Sequence, residues 1–219
     1  MPDLEEEDRR VRIADLLLRL RRVGITDQRV LSAIEAVPRD LFVEPDSRDR
    51  SYSERALPID CGQTISAPVI VGMMTMAIDP QPDDRILEVG TGSGYQASVL
   101  SKLCARVYTV DRFRTLVSAA ESRFTTLKLT NITTAVGDGM KGWPEHAPFD
   151  KIIVTAAGEE VPEALFGQLR GGGVLVAPVG PQDGVQALMR YSRTKDGIAE
   201  TKLADVRFVP LIPGVAERL

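Results

Sequence analysis

From Arg85 onward, short apolar runs alternate with segments of helical character, and this alternation constrains the fold more than any other feature. The runs lie at residues 86–89, 107–110, 132–136, 152–155 and 174–177. Helical patterns occupy residues 95–104, 112–127 and 161–169 between them. Such alternation is typical of parallel strands joined by helical crossovers. With two further strands near 185–192 and 202–209, the pattern predicts an open, doubly wound, mostly parallel α/β sheet.

The first 82 residues have a different pattern. Apolar residues at helical spacing predict one helix over 3–22 and a second that begins after Thr26 or Asp27 and ends near Val37. A third helix is predicted over 68–78, because Pro68 is tolerated in a first turn, and residues 39–67 are expected to be mainly irregular. We therefore divide the chain into a helical lead-in, 1–82, and a sheet domain, 83–219, packed as one compact unit.

Composition excludes several classes of function. A net charge of −4 and a pI near 5.2 argue against nucleic-acid binding, which needs clustered Lys and Arg. The sequence contains no apolar run long enough to span a bilayer and does not begin like a secretory signal. The two cysteines and one histidine are not closely spaced, so we expect a cytoplasmic protein without a metal site.

A glycine-rich turn follows the first predicted strand, in the stretch "ILEVGTGSGYQ" at 86–96. Gly90, Gly92 and Gly94 allow a tight turn and a close approach of the backbone to a ligand. Ligands of open parallel sheets bind at this end of the strands. Tyr95 stands where a dinucleotide fingerprint needs glycine or alanine, and no phosphate-binding Gly-Lys-Ser/Thr follows. The loop therefore suits an adenosine ligand with an uncharged or zwitterionic part rather than NAD.

Two aspartates follow the next two predicted strands. Asp111 lies about 20 residues after the glycine loop, where an acid can accept hydrogen bonds from both ribose hydroxyls; it could instead cap the following helix. Asp138 in "VGDGM" could accept a hydrogen bond from an adenine amino group, or be an ordinary turn aspartate. Three successive strand ends that carry glycines and acids together predict one nucleoside site.

At this point the sequence resembles the class I methyltransferases that use S-adenosylmethionine, and more narrowly the protein-L-isoaspartate O-methyltransferases. Apart from the glycine loop, the resemblance rests on "VPRDLFV" at 37–43, "ALPIDCGQTISAP" at 56–68, "GDG" at 137–139, "FDKIIVTAA" at 149–157, "GGGVLVAPVG" at 171–180 and "VRFVPL" at 206–211. It implies a Rossmann-like fold, S-adenosylmethionine as cofactor, and isoaspartyl residues of damaged proteins as methyl acceptors.

The resemblance also implies roles for individual residues. Ser66 would be the catalytic serine of the acceptor loop, residues 61–68. Asp111 and Asp138 would contact ribose and adenine, and Glu88 with Gly90 would flank the methionine part. The full cofactor-binding set that it implies is Thr64, Ile65, Glu88, Gly90, Gly92, Gly94, Asp111, Asp138 and Gly139. The chain departs from many family members at Val69 and Ile212, near the ligands.

Methyl transfer of this kind would not require a histidine beside Ser66. An α-carboxylate has a pKa of about 3.5 and is already ionised at neutral pH, so the protein has mainly to align the reacting atoms. A serine hydroxyl can donate one hydrogen bond to such a carboxylate. Ser66 could alternatively be the N-cap of the helix over 68–78. A hydrolase-type nucleophile is disfavoured, because His146 stands in an apparently exposed loop without an acid partner.

Other functions share part of this pattern. A related enzyme could methylate another carboxylate acceptor, and a cofactor-binding substrate receptor would bind isoaspartyl proteins without turnover. A nicotinamide-dependent oxidoreductase is disfavoured by Tyr95 in the glycine loop. For partners we expect isoaspartyl-containing proteins and peptides, with no nucleic acid and no membrane. The sequence favours a monomer without fixing the oligomeric state.

Overall fold

A computed structural model of the protein describes residues 4–216. Helices α1 (Leu4–Arg22), α2 (Gln28–Glu35) and α3 (Pro68–Ile78) form the lead-in, and strands β1 (Leu57–Pro58) and β2 (Thr64–Ile65) form a small antiparallel hairpin before α3. Short 3₁₀ turns occupy Arg39–Phe42, Pro45–Arg50 and Asp60–Gly62. The predicted second helix is two residues shorter than expected, and the predicted start of the first helix at residue 3 lies outside the described residues.

The second part of the chain forms a seven-stranded sheet in the order β5-β4-β3-β6-β7-β8-β9. Its strands are β3 (Arg85–Val89), β4 (Arg106–Asp111), β5 (Ile132–Val136), β6 (Phe149–Val154), β7 (Leu169–Val179), β8 (Gln186–Thr194) and β9 (Gly197–Val206), with helices α4 (Tyr95–Ser101), α5 (Arg114–Thr126) and α6 (Glu163–Gln168) between them. Strands β3 to β7 pair in parallel, whereas β8 and β9 pair antiparallel. This is the predicted doubly wound, mostly parallel sheet.

The order of the strands reverses beside β3, and this reversal positions the site. From β3 the chain winds outward through β4 to β5 and then returns to β6 on the other side of β3. In such sheets a crevice opens at the carboxyl ends of the strands where the order reverses. The glycine loop after β3 lies at that crevice.

The lead-in packs on the sheet domain through a shared apolar core. Residues from α1, α2 and the segment at 37–65 cluster with Tyr95 and Val99 of α4 and with Leu116 of α5. Helix α3 covers one face of the sheet through Met74 and Ile78. The predicted boundary after residue 82 stays a prediction, since apolar burial joins the two parts.

Strand β9 differs most from its prediction. It begins at Gly197, about five residues before the predicted start, and ends at Val206. Its first six residues are exposed, so this stretch carries no apolar run that a sequence pattern could detect. Within residues 4–216, no helix has both the length and the apolar character needed to cross a membrane.

Candidate active site

A cleft opens at the carboxyl ends of β3, β4 and β6, between the glycine loop and the acceptor loop. Its empty space is about 970 Å³, part of it open to solvent, which is enough for a nucleoside-sized ligand. Of the residues predicted from the sequence, Thr64, Ile65, Ser66, Gly90, Gly92, Asp111 and Gly139 line this cleft. Glu88, Gly94 and Asp138 are not on its wall.

The glycine loop is held tightly against the protein. Gly90 and Gly94 have φ angles of 99° and 87°, a region that residues with side chains rarely adopt. A Cβ added at Gly90 would overlap the Thr155 hydroxyl, which donates hydrogen bonds to the carbonyls of Val89 and Gly90 at 3.0 and 2.8 Å. A Cβ at Gly94 would lie 2.8 Å from the Phe124 ring. The loop contributes Gly90, Thr91, Gly92 and Ser93 to this wall of the cleft, and its glycines let the backbone pack closely.

Asp111 connects the end of β4 to the glycine loop. Its Oδ2 accepts a hydrogen bond from the Gly92 N–H at 2.8 Å, and its Oδ1 accepts one from the Phe113 N–H at 3.0 Å. The side chain is largely buried, and burial raises its pKa while the backbone N–H groups oppose the rise. The N-cap of α5 is Phe113 rather than Asp111. Each carboxylate oxygen keeps a lone pair for a ligand, so the predicted ribose contact is geometrically open.

Glu88 lies beneath the glycine loop and is fully buried. Its Oε2 accepts a hydrogen bond from the Thr109 hydroxyl at 2.5 Å, and that hydroxyl is 2.7 Å from the hydroxyl of Thr91, which lines the cleft. Oε1 has no hydrogen-bond partner within residues 4–216. Burial, opposed by Thr109 and assisted by the Asp111 charge, raises the pKa of Glu88 to about 8. Glu88 thus reaches the cleft only through Thr109 and Thr91, and its predicted place beside the methionine part stays a prediction.

The acceptor loop forms the opposite wall. A left-handed turn at Cys61 and Gly62, with φ angles of 60° and 65°, reverses the chain between β1 and β2. Ile65 is buried and Ser66 is half-buried, and both line the cleft. The N-cap residue of α3 is Ala67, without a side-chain capping hydrogen bond. Ser66 is therefore not the N-cap of this helix, contrary to the alternative that the sequence left open.

Asp138 lies behind the wall that Gly139 forms. Its Oδ1 accepts a hydrogen bond from the Met140 N–H at 3.0 Å and caps the 3₁₀ turn Gly139–Lys141. A Cβ at Gly139 would lie 2.5 Å from Val89 Cγ1, so this position needs glycine. The second carboxylate oxygen of Asp138 lies 4.0 Å from Lys141 Nζ. Both the adenine contact and the ordinary turn role stay open for Asp138.

Sequence reasoning missed part of the cleft wall. Residues 209–212 line the cleft, because the N–H of Ala157 donates to Val209 O at 2.8 Å and the N–H of Leu211 donates to Ala157 O at 2.7 Å. In the sequence, the motif at 206–211 is the signal for this segment. Ile212, one of the departures from the family pattern, stands on the wall, whereas Val69 packs against the core.

His146 takes no part in the cleft. The loop is exposed at Pro144, Glu145 and Pro148, as expected, whereas His146 is half-buried, with its ring 4.5 Å from the Tyr108 ring and 4.9 Å from the Trp143 ring. Within residues 4–216, no three His, Cys, Asp or Glu side chains are grouped as metal ligands. The cleft is lined by hydroxyl, amide and apolar side chains with one carboxylate and one guanidinium, a set suited to an organic ligand.

Comparisons with known proteins agree with this geometry. Residues 11–216 match the model of the family described as protein-L-isoaspartate(D-aspartate) O-methyltransferase. A curated protein-L-isoaspartate O-methyltransferase of Maricaulis maris is 52% identical over 208 residues, 95% of this chain and 97% of its own. A solved structure with the same name is 27% identical, with a TM-score of 0.80 over 90% of this chain and 65% of the other. A Plasmodium falciparum structure, a putative protein-L-isoaspartate O-methyltransferase in complex with S-adenosyl-L-homocysteine, is 28% identical, with a TM-score of 0.78 over 90% of this chain and 97% of the other.

Proposed function

The chain belongs to the protein-L-isoaspartate(D-aspartate) O-methyltransferase family, and from this premise we propose how its cleft carries out the reaction. The protein transfers a methyl group from S-adenosylmethionine to L-isoaspartyl residues of damaged proteins, which initiates their repair. The acceptor group is the free α-carboxylate. The observation that carries this proposal is the single cleft that Ser66 and Asp111 line together, one on the acceptor loop and the other beyond the glycine loop.

The residues of the cleft fit the cofactor. The carboxylate of Asp111 is held by two backbone N–H groups and keeps free lone pairs, as hydrogen-bond acceptors for ribose hydroxyls require. Gly90, Gly92 and Gly139 bring backbone to the cleft wall without a Cβ. Thr64 and Ile65 would close the site from the acceptor side. Tyr95 at the start of α4 disfavours a pyrophosphate seat, which argues against NAD.

S-adenosylmethionine bound there would supply a sulfonium methyl group that an ionised carboxylate can accept directly. A general base is therefore unnecessary, and the role of the protein is to orient the acceptor and exclude water. The Ser66 hydroxyl donates no hydrogen bond to any residue in 4–216 that would compete with a substrate carboxylate. We assign it the task of donating to one carboxylate oxygen while the other oxygen attacks.

We place this reaction in the cytoplasm and expect a monomer. Cys61 and Cys104 are both free cysteines, which is compatible with a reducing compartment. The partners are isoaspartyl-containing proteins and peptides rather than nucleic acid or membranes, in keeping with the net charge of −4.

Calorimetric titration of the wild-type protein tests the cofactor assignment. S-adenosylhomocysteine should bind, and NAD at the same concentrations should produce no heat of binding. Adding methyl donor and an isoaspartyl peptide should then give a base-labile methyl ester, as expected for a carboxylate acceptor. Binding of NAD in preference to S-adenosylhomocysteine, or a base-stable product, would contradict the proposal.

A further inference from the structure

Arg39 is a fully buried arginine for which no carboxylate partner is found in residues 4–216. It stands at the start of the 3₁₀ turn Arg39–Phe42, outside the cleft wall. Burial of a charge without an ion pair is costly, and here burial lowers the pKa of the guanidinium, opposed by Tyr95 and Tyr52. A residue kept at such cost needs an explanation beyond simple packing.

The hydrogen bonds of Arg39 lead to the acceptor loop. Its Nη2 donates to the carbonyl oxygen of Ser66 at 2.7 Å, and its Nε donates to the carbonyl oxygen of Ser51 at 2.7 Å. A planar guanidinium bound to two carbonyl oxygens fixes both in direction as well as in distance. The Ser66 carbonyl is therefore held by a residue that is not itself on the cleft wall.

The same guanidinium also contacts the cofactor side of the cleft. Its central carbon lies 4.8 Å from the centroid of the Tyr95 ring. Tyr95 directly follows the glycine loop, begins α4 and lines the cleft. Its ring packs edge-on against Phe42 of the 3₁₀ turn, with the ring centroids 5.3 Å apart. Arg39 thus spans the two walls between which the acceptor and the cofactor must be aligned.

We propose that Arg39 is a positioning residue for methyl transfer, which sets the position of Ser66 relative to Tyr95 and the glycine loop. It acts through the Ser66 carbonyl and touches neither ligand. Lysine at this position keeps the charge but cannot reach two carbonyl oxygens with a planar fork. Loss of the fork should therefore disturb the acceptor side while cofactor binding, which depends on Asp111 and the glycine loop, is retained.

The test compares Arg39→Lys and Arg39→Met with Arg193→Met as a matched control. Arg193 also donates to two carbonyl oxygens, those of Phe166 and Leu169 at 3.0 and 2.6 Å, but it is half-buried rather than fully buried and is not on the cleft wall. For each protein, kcat and KM for an isoaspartyl peptide, the Kd of S-adenosylhomocysteine and the Tm are measured. Rates are normalised to the folded fraction.

We expect Arg39→Lys to lower kcat/KM for the peptide by about 10- to 100-fold, the usual worth of a hydrogen bond to a charged group. The Kd of S-adenosylhomocysteine should change by less than about threefold, which is about half a decade in affinity. Arg39→Met should lose more activity than Arg39→Lys, because lysine keeps the charge and can still donate a hydrogen bond. Arg193→Met should lower Tm and leave kcat/KM unchanged.

This inference rests on the proposed function, and the wild-type control separates the two. An inactive wild-type protein would contradict the proposed function itself. With an active wild type, an unchanged kcat/KM in Arg39→Lys overturns the positioning role alone. An equal fall in peptide turnover and cofactor affinity, or failure of Arg39→Lys to fold, would also overturn it, because each shows that Arg39 supports the cofactor site or the whole fold rather than the placement of Ser66.

Discussion

Replacing Asp111 by alanine should weaken both the fold and cofactor binding, and the structure separates the two contributions. In the folded protein without ligand, the carboxylate accepts hydrogen bonds from the Gly92 and Phe113 N–H groups at 2.8 and 3.0 Å. An unsatisfied buried donor costs about 1 to 3 kcal/mol. Because water in the cleft can reach part of this site, we expect a loss of about 2 to 4 kcal/mol for the pair. For a chain of this length, that corresponds to roughly 5 to 15 °C in Tm.

Cofactor binding should lose a further interaction, between the carboxylate and the ribose hydroxyls. We expect the affinity for S-adenosylhomocysteine to fall by about 10- to 100-fold in Asp111→Ala, when measured by calorimetry below the Tm. The affinity of Asp111→Asn should lie between those of the wild type and Asp111→Ala. Its amide oxygen can accept only one of the two backbone hydrogen bonds, while its NH₂ group faces the other donor.

Asp150→Ala is the matched control. Asp150 is as buried as Asp111, accepts the Arg85 N–H at 2.6 Å and pairs with Arg170, but it lies at the start of β6, away from the cleft. Its loss should lower Tm without changing the affinity for S-adenosylhomocysteine. A lower Tm with unchanged affinity in Asp111→Ala would refute the ribose contact and leave Asp111 as a structural link. An unchanged Tm in Asp111→Ala would refute the stabilisation of about 2 to 4 kcal/mol assigned to the two backbone hydrogen bonds.

Two further predictions concern Ser66 and Glu88. Ser66→Ala should lower kcat/KM by about 10- to 100-fold. Its Tm should be unchanged, since Ala67 rather than Ser66 caps α3. Single-turnover methylation and thermal melting of the same sample test this, and a lower Tm with full activity would contradict it. Because the pKa of Glu88 is raised from 4.5 to about 8 in the folded protein, it contributes stability at low pH that is lost as pH rises through this window. Relative to Glu88→Gln, the wild-type free energy of unfolding should fall by about 1.4 kcal/mol per pH unit between these values. A difference independent of pH in urea unfolding would mean that Glu88 titrates normally.

The sheet could be predicted because its central strands are covered on both faces. Strands of this kind have nearly continuous apolar sequences, and β3, β4 and β6 show such runs. Strand β9 lies at the edge of the sheet and is largely exposed, so its first half carries no comparable signal. A local sequence pattern indicates which side chains are buried. It gives no signal for a strand whose backbone is paired while its side chains stay exposed.

The site was predictable to the extent that it depends on position along a strand. Gly90 and Asp111 follow strand ends directly, and the topology brings these ends together. Ser66 required the family resemblance, because nothing within the acceptor loop separates a capping serine from one that faces a substrate. Some contacts join distant parts of the chain by single hydrogen bonds, such as Arg39 with Ser66 or Leu211 with Ala157. These contacts produce no periodic pattern in the sequence.

The central claim is that this cleft methylates the α-carboxylate of isoaspartyl residues, and a pair of peptides tests it most directly. The two peptides have the same sequence, one with an isoaspartyl and the other with a normal aspartyl linkage at a single position. Each is incubated with the wild-type protein and S-adenosylmethionine labelled in its methyl group. The account predicts base-labile label on the isoaspartyl peptide and none above background on its partner. Equal labelling of both peptides, or of neither, would contradict it.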